Sequence, residues 1–114
     1  MKITNSSKIE KKDVFAEGAQ GVSMQILLGE EHGSSNIVIR NFTISPAGYS
    51  LHHKHDYEHL VQINKGACVF IDDNGNEHHV TASENIFIGK NEMHQFQNRS
   101  DNDVEFTCTI LNKQ

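Results

Sequence analysis

Apolar and polar residues alternate with a period of two along most of this chain after residue 20. Such alternation predicts half-buried β-strands, because successive side chains of a strand point to opposite faces. Gly, Asn and Asp separate the alternating runs, and Asn74-Gly75 is the typical signal for a tight hairpin. The pattern predicts nine strands, at Val22–Leu28, Asn36–Ser45, Leu51–His55, His59–Asn64, Ala67–Asp72, Glu77–Thr81, Asn85–Ile88, His94–Asn98 and Val104–Leu111.

The strand pattern leaves little room for helices. The best helical candidate, Ile9–Ala16, is short and has no apolar stripe. Many short strands at regular spacing are typical of an all-β sandwich or a closed barrel. A chain of 114 residues forms one domain. We expect residues 1–13, which are polar and charged, to be a flexible tail, and residues 14–114 to form the single domain.

Composition limits which binding partners and which cell compartment we expect for this protein. The net charge of −5 with neutral histidines argues against nucleic acid or an anionic membrane surface as a partner. No apolar stretch approaches the roughly 20 residues of a membrane span. Residues 1–13 lack the apolar region of a signal peptide, so we expect a cytoplasmic protein. In that reducing compartment Cys68 and Cys108 are expected to be buried free thiols.

Histidine is concentrated in one short segment. Four of the eight histidines lie between residues 52 and 59. In an extended segment His53 and His55 share one face, with Cα atoms about 6.5–7 Å apart, whereas His52 and Lys54 point the other way. We therefore predict that His52 is not a ligand.

A short turn at residues 56–58 would bring His59 to the start of the next strand, beside His53 and His55. Convergent neutral imidazoles are what a transition metal binds. The alternative is a group of surface histidines in a polar turn. Two histidines two positions apart are weak evidence, and a third after a tight turn favours the metal site. His94 alone would be an ordinary loop histidine.

The segment Gly48–Gly66 resembles the first motif of the cupin superfamily. That motif runs Gly, about five residues, His-x-His, three or four residues, Glu, six residues, Gly. His53 and His55 match the His-x-His, and His59 occupies the position of the Glu, six residues before Gly66. Glu58 could replace it only through a change of register that would turn its side chain to the opposite face.

The segment Ser83–Asn98 resembles the second cupin motif, which runs Gly, five residues, Pro-x-Gly, two residues, His, three residues, Asn. Both glycines and the proline are replaced here, but the spacing is kept. The resemblance extends over about residues 20–111. The matching positions of the second motif are Ser83, Gly89, Asn91, His94 and Asn98.

Histidine in place of the glutamate resembles the small single-domain bacterial cupins with a four-histidine site, often occupied by manganese. The resemblance implies an all-β double-stranded β-helix of the jelly-roll type and a homodimer. It also implies one divalent transition metal, with manganese expected first and iron second. Imidazole ligands leave zinc, nickel and copper open as well. The implied ligands are His53, His55, His59 and His94.

Strand parity indicates which residues line the pocket. Phe106 and Cys108 share the apolar face of the last strand, and Phe96 shares a face with His94. Arg40 falls on a face with apolar neighbours. It is either a surface cation in an ion pair or a partly buried cation directed at an anionic ligand. We expect Arg40, Phe96, Phe106 and Cys108 around the pocket, with Cys108 as filler since no basic neighbour would activate it.

Four neutral imidazoles leave the charge of a divalent ion uncompensated, which favours an anionic ligand. We therefore expect a metal-dependent enzyme acting on a small anionic or carbonyl-containing molecule, oxygenase-like or isomerase-like. The alternative is a non-catalytic module that binds or senses a small ligand, because one barrel supports many activities. No catalytic residue is identified. Tyr57 and Glu58 are expected in a solvated turn, and neither His78 nor His79 is expected to bind metal.

Overall fold

The computed structural model describes residues 1–111, and the last three residues of the predicted domain 14–114 lie outside the described residues. One antiparallel sheet and two 3-10 turns, Ser6–Lys8 and Glu30–His32, account for the regular structure. The all-β prediction is confirmed. The strands are β1 (Lys12–Asp13), β2 (Gln20–Leu28), β3 (Ile37–Tyr49), β4 (His59–Lys65), β5 (Ala67–Ile71), β6 (Glu77–Thr81), β7 (Asn85–Ile88), β8 (Gln95–Gln97) and β9 (Val104–Leu111).

The sheet curls because distant strands pair. Its order is β6-β5-β8-β3-β9-β4-β7, and β2 pairs with the remaining edge of β3. The long strand β3 joins both parts, since its first half pairs with β9 and its last residue, Tyr49, pairs with Gln97 of β8. In this order β8 lies on one side of β3, and β9 and β4 lie on the other side. The curled sheet therefore places β8 and β4 around one interior. The fold is the jelly-roll barrel that the sequence predicts.

Inward-facing side chains form rows across β3, β9, β4 and β7. One row contains Val38, Ile110, His59 and Ile88, and the next contains Arg40, Cys108, Val61 and Ile86. Below them the core is apolar. Phe96 stacks on Phe106 with ring centroids 4.4 Å apart. His59 and Arg40, the polar residues of these two rows, therefore lie together at one end of the apolar core.

The predicted strand Leu51–His55 is wrong. Only His53 makes a β-bridge there, with His94, and the rest of the segment has no ladder pairing. The backbone of His55 is held instead by the loop before β8, because the Asn91 amide donates to the His55 carbonyl at 2.6 Å. The segment is thus anchored at two points rather than along its length.

Strand β3 runs further than the predicted end at Ser45, through Pro46-Ala47-Gly48 to Tyr49. Ala47 has a positive φ of 66°, and a Cβ on Gly48 would meet the Gln20 carbonyl at 2.7 Å. The bend is held by Asn98, whose backbone pairs with Ala47 and Gly48 at 3.0 and 2.9 Å. Proline is tolerated at this exposed bend because it needs no ladder hydrogen bond there.

The N-terminal segment contacts β2. The Gln25 amide donates to the carbonyls of Ser6 and Ile9 at 2.8 and 2.7 Å, and Lys12 pairs with Met24. The flexibility expected for residues 1–13 stays a prediction, for which hydrogen exchange at the Lys12 amide is the measurement. Within residues 1–111 no helix is long and apolar enough to cross a membrane.

Asn98 ties together the two chain segments next to the histidines, and its side chain is 1% exposed. Its Nδ2 donates to the carbonyls of Ile44 and Asn102, both at 2.8 Å, and its Oδ1 accepts from Ser100. Asn98→Ala is expected to lower the free energy of unfolding by about 1–3 kcal/mol, because the buried Ile44 carbonyl loses its side-chain donor.

Urea denaturation measures this loss, with Asn102→Ala as the matched control. The side chain of Asn102 is exposed, and only the backbone carbonyl of this residue takes part in the network. Removal of the side chain should therefore change the stability by less than about 0.5 kcal/mol. Equal stability of the Asn98 and Asn102 variants would show that the buried amide network does not support the fold.

Candidate metal centre

Backbone pairing places two of the four histidines side by side. His53 and His94 exchange amide–carbonyl hydrogen bonds at 3.2 and 2.9 Å, which fixes both Cα atoms across one β-bridge. His59 is the first residue of β4 and pairs with Ile88 on one side and Ile110 on the other. The isolated bridge and strand β4 thus hold three of the positions, and the Asn91–His55 bond holds the fourth.

The four rings lie close together. With metal–nitrogen distances of about 2.0–2.1 Å, imidazole rings that share an ion have centroids roughly 4–6.5 Å apart. The spacing of the rings therefore agrees with a common ion. The centroid distances are 4.4 Å for His53–His55, 5.0 Å for His53–His94, 5.0 Å for His59–His94, 5.1 Å for His55–His59 and 6.2 Å for His55–His94.

Burial follows the parity that the sequence predicts. His59 and His94 are 5% and 4% exposed, and His53 and His55 are partly buried. His52 is exposed, on the opposite side of the segment. The structure therefore brings the four predicted residues together and leaves His52 outside. Their role as ligands stays a prediction.

The ring nitrogens supply a test of whether a cation fits. The Glu92 carbonyl accepts a hydrogen bond from Nδ1 of His94 at 2.9 Å, so this nitrogen carries the proton and Nε2 keeps its lone pair. Nδ1 of His59 is buried without a hydrogen-bond partner in the part of the chain that the structure describes. A buried unpaired nitrogen is costly, and a bound cation would satisfy it. The donor set therefore fits a transition metal.

The nitrogens are not all directed at one point in this conformation. Within residues 1–111 no group of three or more His, Cys, Asp or Glu side chains has its donor atoms arranged as a ready metal site. The backbone fixes the Cα and Cβ atoms of each histidine, whereas rotation of the ring about χ2 is a broad torsion that costs little. Convergence on an ion would therefore need the side chains to rotate on this backbone.

Burial keeps the cluster neutral. The pKa of His59 is lowered to about 3, chiefly by burial and then by the neighbouring His94 and His55. Burial likewise lowers the pKa of His53 to about 4, with His55 as the next cause. The pKa values of His55 and His94 are also lowered, chiefly by burial. All four imidazoles are therefore uncharged at neutral pH, which is the form that binds metal.

Arg40 reaches the same interior from β3. Its Nη2 lies 3.9 Å from Sγ of Cys108, and its guanidinium carbon lies 5.0 Å from the Phe42 ring centroid. The guanidinium also lowers the pKa values of His53 and His59. Among residues 1–111 no carboxylate forms an ion pair with it, so the surface ion-pair alternative does not describe this arginine.

Tyr57 and Phe70 contact the cluster, and the sequence analysis missed both. Tyr57 was expected in a solvated turn, but it is partly buried and stacks on His55 with centroids 4.8 Å apart and planes at 11°. Phe70 of β5 lies parallel to His94 at 6.5 Å. Strand parity could have identified Tyr57, because in this segment the odd-numbered residues His53, His55 and His59 share one side. Phe70 had no such signal, because its contact depends on the pairing of β5 with β8.

The remaining predicted pocket residues form the floor below the histidines. Phe96, Phe106 and Cys108 belong to the buried core. Cys68 and Cys108 are buried free thiols, as predicted, and burial raises the pKa of both, that of Cys68 to about 11. A thiol with a raised pKa is a poor nucleophile, in agreement with the expectation for Cys108 as filler.

His78 and His79 lie on the β6 strand away from this site. His78 is bound to Asp72 at 2.8 Å, and His79 is exposed. Neither ring contacts the four histidines within the part of the chain that the structure describes. Their expected absence from the ligand set stays a prediction.

Comparison with known proteins places this site in a family context. The sequence model of the Cupin domain family matches residues 40–110, which include all four histidines and Arg40. No curated protein matches the chain in sequence.

Solved structures share the whole fold. The polyketide cyclase RemF from Streptomyces resistomycificus superimposes with a TM-score of 0.94 at 24% identity, over 99% of this chain and 80% of that one. A predicted oxalate decarboxylase from Thermotoga maritima has a TM-score of 0.84 at 25% identity, over 96% and 98%. A sugar phosphate isomerase of the cupin superfamily from Silicibacter pomeroyi has a TM-score of 0.82 at 23% identity, over 96% and 74%. At these identities the likeness establishes the fold.

Proposed function

Because the chain belongs to the Cupin domain family, we propose that its barrel holds one divalent transition metal on His53, His55, His59 and His94. The observation that carries this proposal is the meeting of four neutral imidazoles, from segments 53–59 and 94, at one end of the core. Manganese is the first candidate and iron the second. Zinc, nickel and copper suit the same ligands.

The proposed activity is that of a metal-dependent enzyme on a small anionic or carbonyl-containing molecule. A divalent ion bound there would act as a Lewis acid that polarises a carbonyl or stabilises an enolate. The protein's own part is to exclude water and to orient the ligand. Phe70 and the Phe96–Phe106 stack supply an apolar floor. Imidazole ligands leave the positive charge of the ion for the substrate to neutralise.

The similar structures support this substrate class. They are described as a polyketide cyclase, a predicted oxalate decarboxylase and a sugar phosphate isomerase. Polyketides, oxalate and sugar phosphates are carbonyl-containing or anionic molecules. Isomerisation by proton transfer next to a carbonyl and aldol cyclisation both proceed through enolates, which a Lewis acid stabilises, so an isomerase-like reaction is the first candidate and an oxygenase-like reaction the second.

A non-catalytic binding or sensing module is the alternative, and one observation favours it. Among the described residues, Tyr57 is the only ionisable side chain apart from the histidines that stacks on the cluster. Burial raises the pKa of its phenol, so the phenol stays protonated at neutral pH and is not available as a general base. Incubation of the metal-loaded protein with a panel of oxo acids and sugar phosphates, followed by NMR, separates the two. Solvent deuterium exchange next to the carbonyl indicates catalysis, and line broadening without conversion indicates binding only.

We further infer a homodimer that forms through the outer face of the sheet. Leu60 and Phe87 are direct cross-strand partners and are 55% and 61% exposed. Ile37 and Leu111 form a second exposed pair in the same sheet. Adjacent exposed apolar residues of this kind mark an interface.

Phe87→Lys is expected to convert the dimer to a monomer, because it places a charge in the centre of the apolar face. Light scattering coupled to size-exclusion chromatography measures the mass. His79→Lys adds the same charge on the exposed strand β6 and should leave the dimer intact. A monomeric unmodified protein, or dissociation by both changes alike, would contradict this interface.

A further inference from the structure

The geometry points to Arg40 and Tyr57 as a carboxylate-binding pair beside the proposed metal, so that the ligand is a small oxo acid held by its carbonyl at the histidines and by its carboxylate at Arg40. This inference rests on the proposed function and deepens it. It adds the chemical class of the ligand and the residue that selects it.

The first support is an unused donor. Nε of Arg40 is buried and has no hydrogen-bond partner among residues 1–111, and Nη2 is paired there with the Cys108 sulfur at 3.9 Å, a weak acceptor. A guanidinium carries five N–H donors, and leaving one of them buried and unpaired is costly. A carboxylate accepts two parallel hydrogen bonds from this fork. The described residues around Arg40 therefore supply no acceptor for its buried Nε, and a carboxylate would supply one.

The second support is the position of Arg40 relative to the histidines. Arg40 is in the inward row next to that of His59, since it pairs with Cys108 while His59 pairs with Ile110. Neighbouring inward rows are two residues apart along each strand, which corresponds to about 6.5–7 Å. A molecule that touches both the imidazoles and Arg40 therefore needs to be only a few bonds long.

The third support is the balance of charge. A divalent ion and Arg40 both contribute positive charge to the barrel interior, and the four imidazoles contribute none. The carboxylates with an electrostatic effect on the cluster, Asp56 and Glu92, are exposed. Buried positive charges require a partner, so a ligand with a carboxylate is bound in preference to a neutral one.

Tyr57 completes the pair. Its ring stacks on His55 and lies 5.2 Å from the ring of His59, so its phenol belongs to the same end of the barrel as the inward row of Arg40. A phenol at this place can donate a hydrogen bond to the same carboxylate. Tyr57→Phe keeps the stacking and removes only this donor.

The test compares two chelating probes of similar shape, malonate with two carboxylates and acetylacetone with none, on manganese-loaded protein. Arg40→Met keeps the length of the side chain and removes the charge. It is expected to weaken malonate binding by about 10- to 100-fold in calorimetry, and acetylacetone binding by less than about 2-fold. Tyr57→Phe should weaken malonate binding by about 3- to 10-fold. The metal content of both variants should match that of the unmodified protein.

Several outcomes would overturn the inference. Equal losses for both probes, or unchanged malonate binding in Arg40→Met, show that Arg40 does not bind the carboxylate. If Arg40→Met does not fold, as judged by circular dichroism, Arg40→Lys decides, since it keeps the charge but loses the fork, and unchanged malonate affinity then counts against the inference.

Failure of the proposed function has a different signature. It appears as unmodified protein that binds no manganese. In that case the metal-free protein is titrated with malonate, and binding that is lost in Arg40→Met still supports a carboxylate site. Absence of any Arg40-dependent malonate binding overturns it.

Discussion

Replacing His59 with alanine is expected to lower the affinity for manganese by about 100-fold or more. Loss of an outer partner of a metal ligand commonly costs 10- to 100-fold, so loss of a direct ligand costs at least as much. His59 is the most informative of the four because it is 5% exposed and its buried Nδ1 pairs with nothing else within the described residues. Competition with a chelating dye measures the affinity.

His52→Ala is the matched control. His52 is a neighbour of the cluster in sequence, but it is exposed on the opposite side of the segment. Its replacement should change manganese affinity by less than about 2-fold. Equal losses of affinity in the His52 and His59 variants, with unchanged circular dichroism, would contradict a buried site formed by the four histidines.

Acidification from pH 7 to pH 5 is expected to destabilise the metal-free protein by about 2 kcal/mol, which corresponds to roughly a 10 °C drop in Tm. The pKa of His59 is about 3 and that of His53 about 4 in the folded chain, below the value of about 6.5 in the unfolded chain. The unfolded chain therefore binds more protons below pH 6.5. Stability is fully present above that pH and falls as the pH decreases towards 4. The figure allows for solvent screening at the partly buried His53.

Thermal unfolding of chelator-treated protein between pH 7 and pH 5 measures this loss. Two carboxylates with lowered pKa values, Asp72 and Glu77, would affect stability only at more acidic pH, so the window reports on the histidines. The double variant His53→Gln/His59→Gln should lose more than half of the pH dependence. A Tm that is equally pH-dependent in this variant would mean that the two imidazoles are not buried neutral groups.

Much of the site could be predicted because strand parity is a local property. The segment 51–55 is not a paired strand, yet exposed and buried residues alternate through it to His59. An extended backbone produces this alternation whether or not it has a hydrogen-bonded ladder. The predicted side for each of the four histidines and for His52 was therefore correct although the strand itself was wrong.

The environment of Arg40 could not be predicted from sequence. Strand parity put Arg40 on the face of β3 that is inward in the structure. The sequence pattern is the same, however, for an arginine in an ion pair and for an arginine directed at a ligand. The difference depends on which side chains the register of β3, β9 and β4 brings opposite, and these are Cys108 and Val61 rather than a carboxylate. Tyr57 and Phe70 were missed for the same reason, because their contacts come from tertiary packing.

The bend at residues 46–48 shows a further limit. Pro46 and Gly48 together predict the end of a strand, and β3 nevertheless continues to Tyr49. The backbone of Asn98, fifty residues later, completes the hydrogen bonds that local sequence leaves open. Long-range pairing thus overrides a local turn signal where a partner strand is available.

The central claim is that four imidazoles share one metal ion inside the barrel. The most direct test is an anomalous-difference map from crystals of protein purified without added metal, with data on both sides of the manganese and iron absorption edges. The expected result is one peak per chain at about 2.0–2.3 Å from a nitrogen of each of His53, His55, His59 and His94. Crystals without such a peak, or with a peak that contacts fewer than three of these rings, would contradict the account.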